Sequence, residues 1–292
     1  MSRLRILVVG KRTTLERWDE RCLEHLEDIG IMDRSHLEAE HAQHHRSLAR
    51  VHEQLAACQV HERQIDVLTH ADARQADIIV TVGGDGTVLA THTHLSDTPI
   101  IAVNSDPNRS VGHYTRCRPD GVYDLVQAWI GGHAREELCH RLLLEIIDVR
   151  TGQRLNGRGD NVLNDCLFTN ENPAAMTRYI LSTAAGRETQ WSSGVWISTA
   201  AGSTGAIASA GALPVEPGTP ALLYLVREPF FGRGGFDDLT GRQLPPTGLE
   251  LTPTIPGLSC YIDGAHLRRR IKPGTCVRFS ADAPPLRLLT PA

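Results

Sequence analysis

Gly83-Gly-Asp-Gly-Thr87 is the stretch best suited to chemistry, because one carboxylate, Asp85, stands among glycines at the end of an apolar run. Ile78 to Val82 is short and rich in β-branched residues, which predicts a strand buried on both faces of a parallel sheet. Gly83, Gly84 and Gly86 offer backbone angles and close approaches that a Cβ would forbid, and Thr87-Val-Leu-Ala90 opens a helix. Strand, tight turn and helix N-terminus together present backbone N–H groups suited to phosphate. A carboxylate repels such a ligand unless a metal ion or a proton transfer gives it a task, so Asp85 is the candidate catalytic residue. A glycine turn after a strand is also common as plain punctuation. Neither G-x-x-x-x-G-K-[ST] nor G-x-G-x-x-G spacing occurs here, which sets aside the two familiar phosphate-binding fingerprints.

Two polar clusters follow at a distance. Asn164-Asp165 interrupts Val162 to Phe168, where a strand would carry apolar residues, and the pair asks for a reason beyond a local Asx turn. In Trp191 to Gly211 a strand at Val195 to Thr199 runs into a turn of small residues, with Ser203 and Thr204 at a helix start. Either hydroxyl could simply cap that helix, yet the lack of bulk along the whole stretch also lets a flat ligand approach the backbone. His41, His44 and His45 share a helix face by spacing, but no carboxylate or cysteine accompanies them in sequence, and we assign them to a solvated helix with no metal ligand. Arg268-Arg-Arg270 reads as a charged edge strand that resists aggregation.

The elements that must position these residues change in kind along the chain. Arg5 to Gly10 predicts a strand, Thr14 to Ile29 a helix, Gln64 to Leu68 a strand, Pro99 to Asn104 a strand and Asp120 to Ile130 a helix. Alternation of strand and helix predicts a doubly wound, Rossmann-like α/β domain over 1–132, closed by Gly131-Gly132. The turn-rich run from Asn104 to Gly112 then lies on the same carboxyl edge as the glycine turn, where open α/β sheets bind ligands. Residues 133–292 carry short strand signals at 142–149, 162–169, 178–184, 195–199, 221–226, 249–255, 258–263 and 277–280, which predict a β-rich two-sheet sandwich. Pro-rich 213–220 and Gly/Pro-rich 229–248 are expected as its loops, and the last residues as a segment packing back on the first domain.

At 292 residues the chain is long enough for two ordinary domains, and its net charge of −4 offers no basic footprint for nucleic acid. Seven cysteines without a C-x-x-C pair fit a reduced cytoplasmic protein, and no apolar run is long enough to span a membrane.

Taken together, Gly83-Gly-Asp-Gly-Thr87, Asn164-Asp165 and Ser193-Gly-Val-Trp-Ile-Ser-Thr-Ala-Ala-Gly-Ser-Thr204 resemble the NAD kinase family, in that order and at those separations. Asn104-Ser-Asp-Pro107, Leu163 to Ala175 and Val226-Arg-Glu-Pro229 resemble its plant-type NADH kinase branch. The resemblance implies ATP- and Mg²⁺-dependent phosphorylation of the adenosine 2′-hydroxyl of NAD or NADH, with Asp85 taking the hydroxyl proton. It also implies that Gly83, Gly84, Gly86, Thr87 and Asn104 lie toward the nucleotides, and that Asn164, Asp165, Ser193, Ser203, Thr204 and Ser209 line the acceptor side. Asp263-Gly264 is similar to the family's C-terminal Asp-Gly turn. Ser193 stands where many members carry Asp, and Gly205-Ala206 where they carry Ala-Tyr, which loosens the grip on the acceptor and leans toward NADH being accepted. A homodimer or homotetramer is implied, with the β domain as interface. A lipid or other small-hydroxyl kinase with the same glycine turn, and a nucleotide-sensing module without turnover, are the alternatives.

Overall fold

The computed structural model describes residues 4–110, 112–232, 240–243 and 248–291. The chain divides into two compact units, Met1–Glu137 with Arg287–Ala292, and Leu138–Leu286. In chain order the strands are β1 (Arg5–Gly10), β2 (Gln59–Gln64), β3 (Ile78–Gly83), β4 (Ile100–Asn104), β5 (Arg135–Cys139), β6 (Leu142–Asp148), β7 (Asp160–Val162), β8 (Asp165–Asn170) and β9 (Thr177–Thr183). They continue as β10 (Gly186–Ser192), β11 (Gly194–Thr199), β12 (Leu222–Arg227), β13 (Thr240–Gln243), β14 (Leu249–Pro253), β15 (Leu258–Ile262), β16 (Leu267–Ile271), β17 (Thr275–Ser280) and β18 (Leu286–Thr290). The helices are α1 (Thr14–Arg17), α2 (Glu20–Asp28), α3 (Arg34–Gln54), α4 (His70–Gln75), α5 (Asp85–His92), α6 (Val122–Ile130) and α7 (Ala206–Ser209).

The first unit is built on one sheet, order β2-β1-β3-β4-β18-β5, whose members from β2 to β18 run parallel. Strands buried on both faces need helices on both sides, and their near-continuous apolar sequence reflects that. Ile6, Val8, Ile78, Val80, Val82, Ile101 and Val103 share a core with Val51 of α3, Leu55 just after it, and Val122, Leu125 and Val126 of α6. The alternate residues Leu7, Val9, Ile79 and Ile100 are buried as well, and α4 and α5 pack on β1. The doubly wound class is as expected.

Local details differ from sequence. The helix expected over Thr14 to Ile29 is broken, because Trp18 is extended and the Asp19 carboxylate accepts the Arg21 N–H at 2.9 Å, starting α2 afresh. The strand expected at Gln64 to Leu68 lies earlier, at β2, and Ile65–Val67 form a single 3₁₀ turn. β2 is an edge strand and mostly exposed, so it lacks the apolar alternation that marks a strand.

The second unit is a sandwich of two antiparallel sheets, β10-β9-β14-β17-β6-β7 and β13-β12-β11-β8-β15-β16. Leu144, Tyr179, Leu251 and Phe279 of the first sheet and Phe168, Ile197, Tyr224 and Cys260 of the second meet in one core. Arg268, Arg269 and Arg270 lie on the edge strand β16, where Glu171 pairs with the first and third and Asp160 takes a double hydrogen bond from Arg269. Within the 229–248 stretch expected as loop, Thr240–Gln243 form β13, while 233–239 and 244–247 lie outside the described residues. Among the described residues no helix is long and apolar enough to cross a membrane.

Candidate active site

In the first unit β3 ends at Gly83 and α5 begins two residues later. A Cβ on Gly83 would stand 2.2 Å from Thr87 Oγ1 and 3.0 Å from Thr87 Cβ, so the turn closes only over glycine there. The expectation that all three glycines are forced by the turn does not hold. A Cβ on Gly84 or Gly86 would meet no atom within 4 Å, and neither residue has a left-handed backbone. Their faces are open.

Asp85 fastens this turn to the segment that follows β4. Its Oδ2 accepts the His113 N–H at 2.6 Å, and its Oδ1 accepts the Tyr114 N–H at 2.9 Å, the Thr115 N–H at 3.2 Å and the Thr115 hydroxyl at 3.4 Å. A carboxylate offers about four acceptor positions, so Oδ1 is filled and Oδ2 keeps one position for another donor. Backbone donors leave no trace in residue identity, which is why sequence could not anticipate the clamp.

Asn104 is buried, with its amide accepting from Asp106 N–H at 3.0 Å and donating to Ser110 O at 2.9 Å. It shapes the loop rather than reaching out of it. The Ser105 N–H donates to Gly83 O at 2.9 Å, so the turns after β3 and β4 are joined by backbone as well as by Asp85.

In the second unit the strand expected through 162–169 is two strands. The chain bends at Leu163-Asn164, leaving one sheet with β7 and entering the other with β8. Asp263 holds the bend. Its carboxylate accepts the N–H groups of Leu163 at 3.1 Å, Asn164 at 2.6 Å and Asp165 at 3.1 Å, and its own N–H donates to Asp165 O at 2.8 Å. Its backbone is left-handed, with φ of 52°. Arg141 is buried nearby; burial draws its guanidinium down to about 10 while the Asp263 charge opposes that. Nothing in the local sequence signalled Arg141.

Asp165 is 5% exposed, and burial first, then the neighbouring Asp263 carboxylate, raises its carboxyl to about 6, against a lowering hydrogen bond from Asn164. The Asn164 side-chain amide donates to Asp165 Oδ2 at 3.2 Å. The carbonyl of Asn164 accepts from the Thr199 N–H and the Ser198 hydroxyl, both at 3.0 Å. A Cβ on Gly202 would stand 2.0 Å from Asn164 O, and one on Gly205 would lie 3.3 Å from Asn164 Nδ2 and 3.7 Å from Asp165 Oδ2. Close packing on the polar pair therefore accounts for much of the missing bulk in 199–205.

The fold thus gathers Asn164, Asp165, Gly202 and Gly205. Thr204 and Ser209, which belong to the same turn and the helix after it, are exposed. Ser203 is different, being buried, donating to Val215 O at 3.1 Å and accepting the Val215 N–H at 3.0 Å. Its hydroxyl serves the fold. Ser193 is not brought to the pair, since it precedes β11 while Ser198 pairs with Asp165 near the other end, about 16 Å along the strand. It lines a groove of about 670 Å³ with Trp196, Arg227, Tyr261 and Gly264, within the usual size range for small-molecule sites.

Residues 6–134 match the family model described as the ATP-NAD kinase N-terminal domain. A probable NADH kinase of Oryza sativa subsp. japonica is 28% identical over 239 residues, covering 74% of this chain and 71% of that protein. An NAD kinase from Archaeoglobus fulgidus, solved in complex with ATP, superposes with a TM-score of 0.64 at 18% identity, over 98% of this chain and 94% of that one. Yeast NADH kinase, solved with NADH, gives a TM-score of 0.66 at 14% identity over 100% and 84%. At such identities the two structures speak for the fold.

Proposed function

The chain belongs to the NAD kinase family, and from that premise we propose that it moves the γ-phosphoryl group of ATP to the adenosine 2′-hydroxyl of NAD or NADH. What carries the proposal is Asp85, a carboxylate fixed by three backbone N–H groups at a strand–helix turn, with one acceptor position left on Oδ2. As the 2′-oxygen attacks phosphorus, Oδ2 takes its proton, the γ-phosphoryl oxygen bridge breaks and ADP leaves. Phosphoryl transfer asks a protein mainly for positioning and charge neutralisation, so a backbone cradle and one oriented carboxylate suffice.

Magnesium suits this turn, because Mg²⁺ usually keeps several waters and is bound largely through substrate phosphate oxygens. The open faces of Gly84 and Gly86 leave room for such an ion on the ATP phosphates, and the one free position on Asp85 Oδ2 is kept for the hydroxyl proton. When bound, the ion offsets negative charge on the transferring group. Gly83, Thr87 and Asn104 act by shaping the turns. Asn164 and Asp165 hydrogen-bond the acceptor, and the exposed hydroxyls of Thr204 and Ser209 line its pocket.

Incubating the purified chain with ATP, Mg²⁺ and either NAD or NADH should yield NADP or NADPH. Absence of product with both acceptors defeats the proposal. In competition, Ser193 in place of Asp and Gly205-Ala206 in place of Ala-Tyr favour acceptance of NADH; a strong preference for NAD would reverse that. We further propose a cytoplasmic homo-oligomer formed through the second unit. Seven cysteines, all free, suit a reducing compartment, and light scattering giving the mass of one chain would remove the oligomer.

A further inference from the structure

The three histidines of α3 do not behave alike once folded. His44 turns inward and is buried, and burial first, then the Lys11 and His45 charges, lowers it to about 4, so it is neutral. His41 and His45 remain on the outer side, one turn apart, with ring centroids 4.3 Å apart. The carboxylate that sequence did not place beside them arrives from α1. Glu16 Oε1 lies 3.1 Å from His45 Nε2, and one ligand atom from each of Glu16, His41 and His45 falls within 4.8 Å of the other two.

We propose that Glu16, His41 and His45 form a binding site for one borderline-soft divalent transition ion of the Zn²⁺ class, independent of phosphoryl transfer. Zinc takes imidazole nitrogen and carboxylate oxygen at about 2.0–2.2 Å, which puts neighbouring ligand atoms about 3.3 Å apart in a tetrahedral shell. The Glu16–His45 spacing already matches, and small side-chain rotations close the rest. Two imidazoles and one carboxylate select against Mg²⁺, which prefers six oxygens in an octahedron.

The surroundings orient the ligands as metal sites require. Thr13, buried at the start of α1, sets its hydroxyl 2.8 Å from His41 Nδ1 and 3.1 Å from Glu16 Oε2, and its N–H donates to the same oxygen at 2.7 Å. Burial alone would raise the Glu16 carboxyl, but these bonds and His45 outweigh it and hold it below its ordinary value. Of the nearby cations, Lys11 is occupied by Glu40 at 3.0 Å and Arg12 donates to the Glu16 backbone carbonyl at 2.9 Å, away from its carboxylate. Tying α1 to α3 would brace the segment that leaves β1.

The test uses the full-length, untagged chain stripped of metal and titrated with Zn²⁺ by calorimetry, with Co²⁺ absorption reporting coordination. One ion per chain at micromolar affinity is expected, with a rise in melting temperature. His41→Gln/His45→Gln, at positions that are not deeply buried, should keep its circular dichroism and lose both effects. Glu16→Gln should weaken binding by more than about 100-fold, and Thr13→Val by about 10–100-fold, the usual effect of losing an orienting partner. His36→Gln/His52→Gln should bind as wild type. No saturable uptake at micromolar Zn²⁺, or uptake that survives His41→Gln/His45→Gln, overturns the site.

Discussion

Asp165 keeps an ionisable carboxyl where burial and the neighbouring Asp263 disfavour its charge, so it costs stability at neutral pH. The sign follows from its raised value. Between about 4 and 6 the folded state holds a proton that the unfolded state releases, so the fold is favoured at low pH and loses that advantage as pH rises through 6. The difference from 3.8 to about 6 amounts to about 3 kcal/mol at most. Asp165→Asn should therefore melt higher than wild type at pH 8, with the gap closing below about pH 4, while its KM for the dinucleotide rises. Equal melting temperatures at pH 8 would show that the carboxyl is not strained. Asp85 calls for a different expectation. Asparagine there turns one acceptor into an NH₂ group facing the backbone N–H groups of 113–115, so stability should drop by about 1–3 kcal/mol. Turnover should fall by at least about 10²–10⁴-fold from loss of the base. A folded Asp85→Asn chain with full kcat would take the residue out of the chemistry. At this scale sequence named Asp85, Asn164 and Asp165 because each is a residue type out of place in its surroundings. It could not separate Ser203 from Thr204, since identical chemistry in adjacent positions faces inward in one case and outward in the other.

Among elements, the β3–α5 turn separates two uses of glycine that look the same in sequence. Gly83→Ala drives a methyl group into Thr87 and should cost about 1–3 kcal/mol in urea unfolding. Gly84→Ala meets nothing within the chain and has extended backbone, φ −111° and ψ −169°, so it should fold at least as stably as wild type, by up to about 1 kcal/mol. On the proposed donor site, that methyl should nevertheless suppress activity. If Gly84→Ala turns over normally, the open face of that glycine is not used by the donor. Apart from β18, the strands that sequence missed or misplaced share one property. β2, β5, β7, β10 and β13 are, with β16, the outermost members of the three sheets among the described residues, where polar residues such as Arg187-Glu-Thr-Gln190 replace the alternation that betrays a strand; only the run Arg268-Arg-Arg270 gave its edge strand away. Edge positions are kept polar to discourage pairing with other chains, so the same physics that protects them hides them.

For the molecule as a whole, the feature farthest from any local signal is β18. The final strand of the chain sits between β4 and β5 in the sheet of the first unit, parallel to β4, with Leu288 opposite Ile100 and Leu289 opposite Ile101. Sequence analysis expected the last residues to pack back on the first domain, but sequence patterns report on neighbours within a few residues, and nothing in a strand of five residues names a partner almost 190 positions earlier. Leu288 and Leu289 are both buried, and burying each contributes about 1.5–3 kcal/mol. Together they approach the net stability of an ordinary domain, about 5–15 kcal/mol, before the lost strand pairing is counted. A chain ending at Pro285 should consequently unfold at much lower urea concentration or fail to accumulate as folded protein, with amide exchange accelerated most in β4. The isolated segment 1–137 should fare no better, and adding a peptide of residues 286–292 should restore part of its protection. Native-like exchange protection of β4 in the chain ending at Pro285 would mean that the sheet of the first unit closes without its last-made strand.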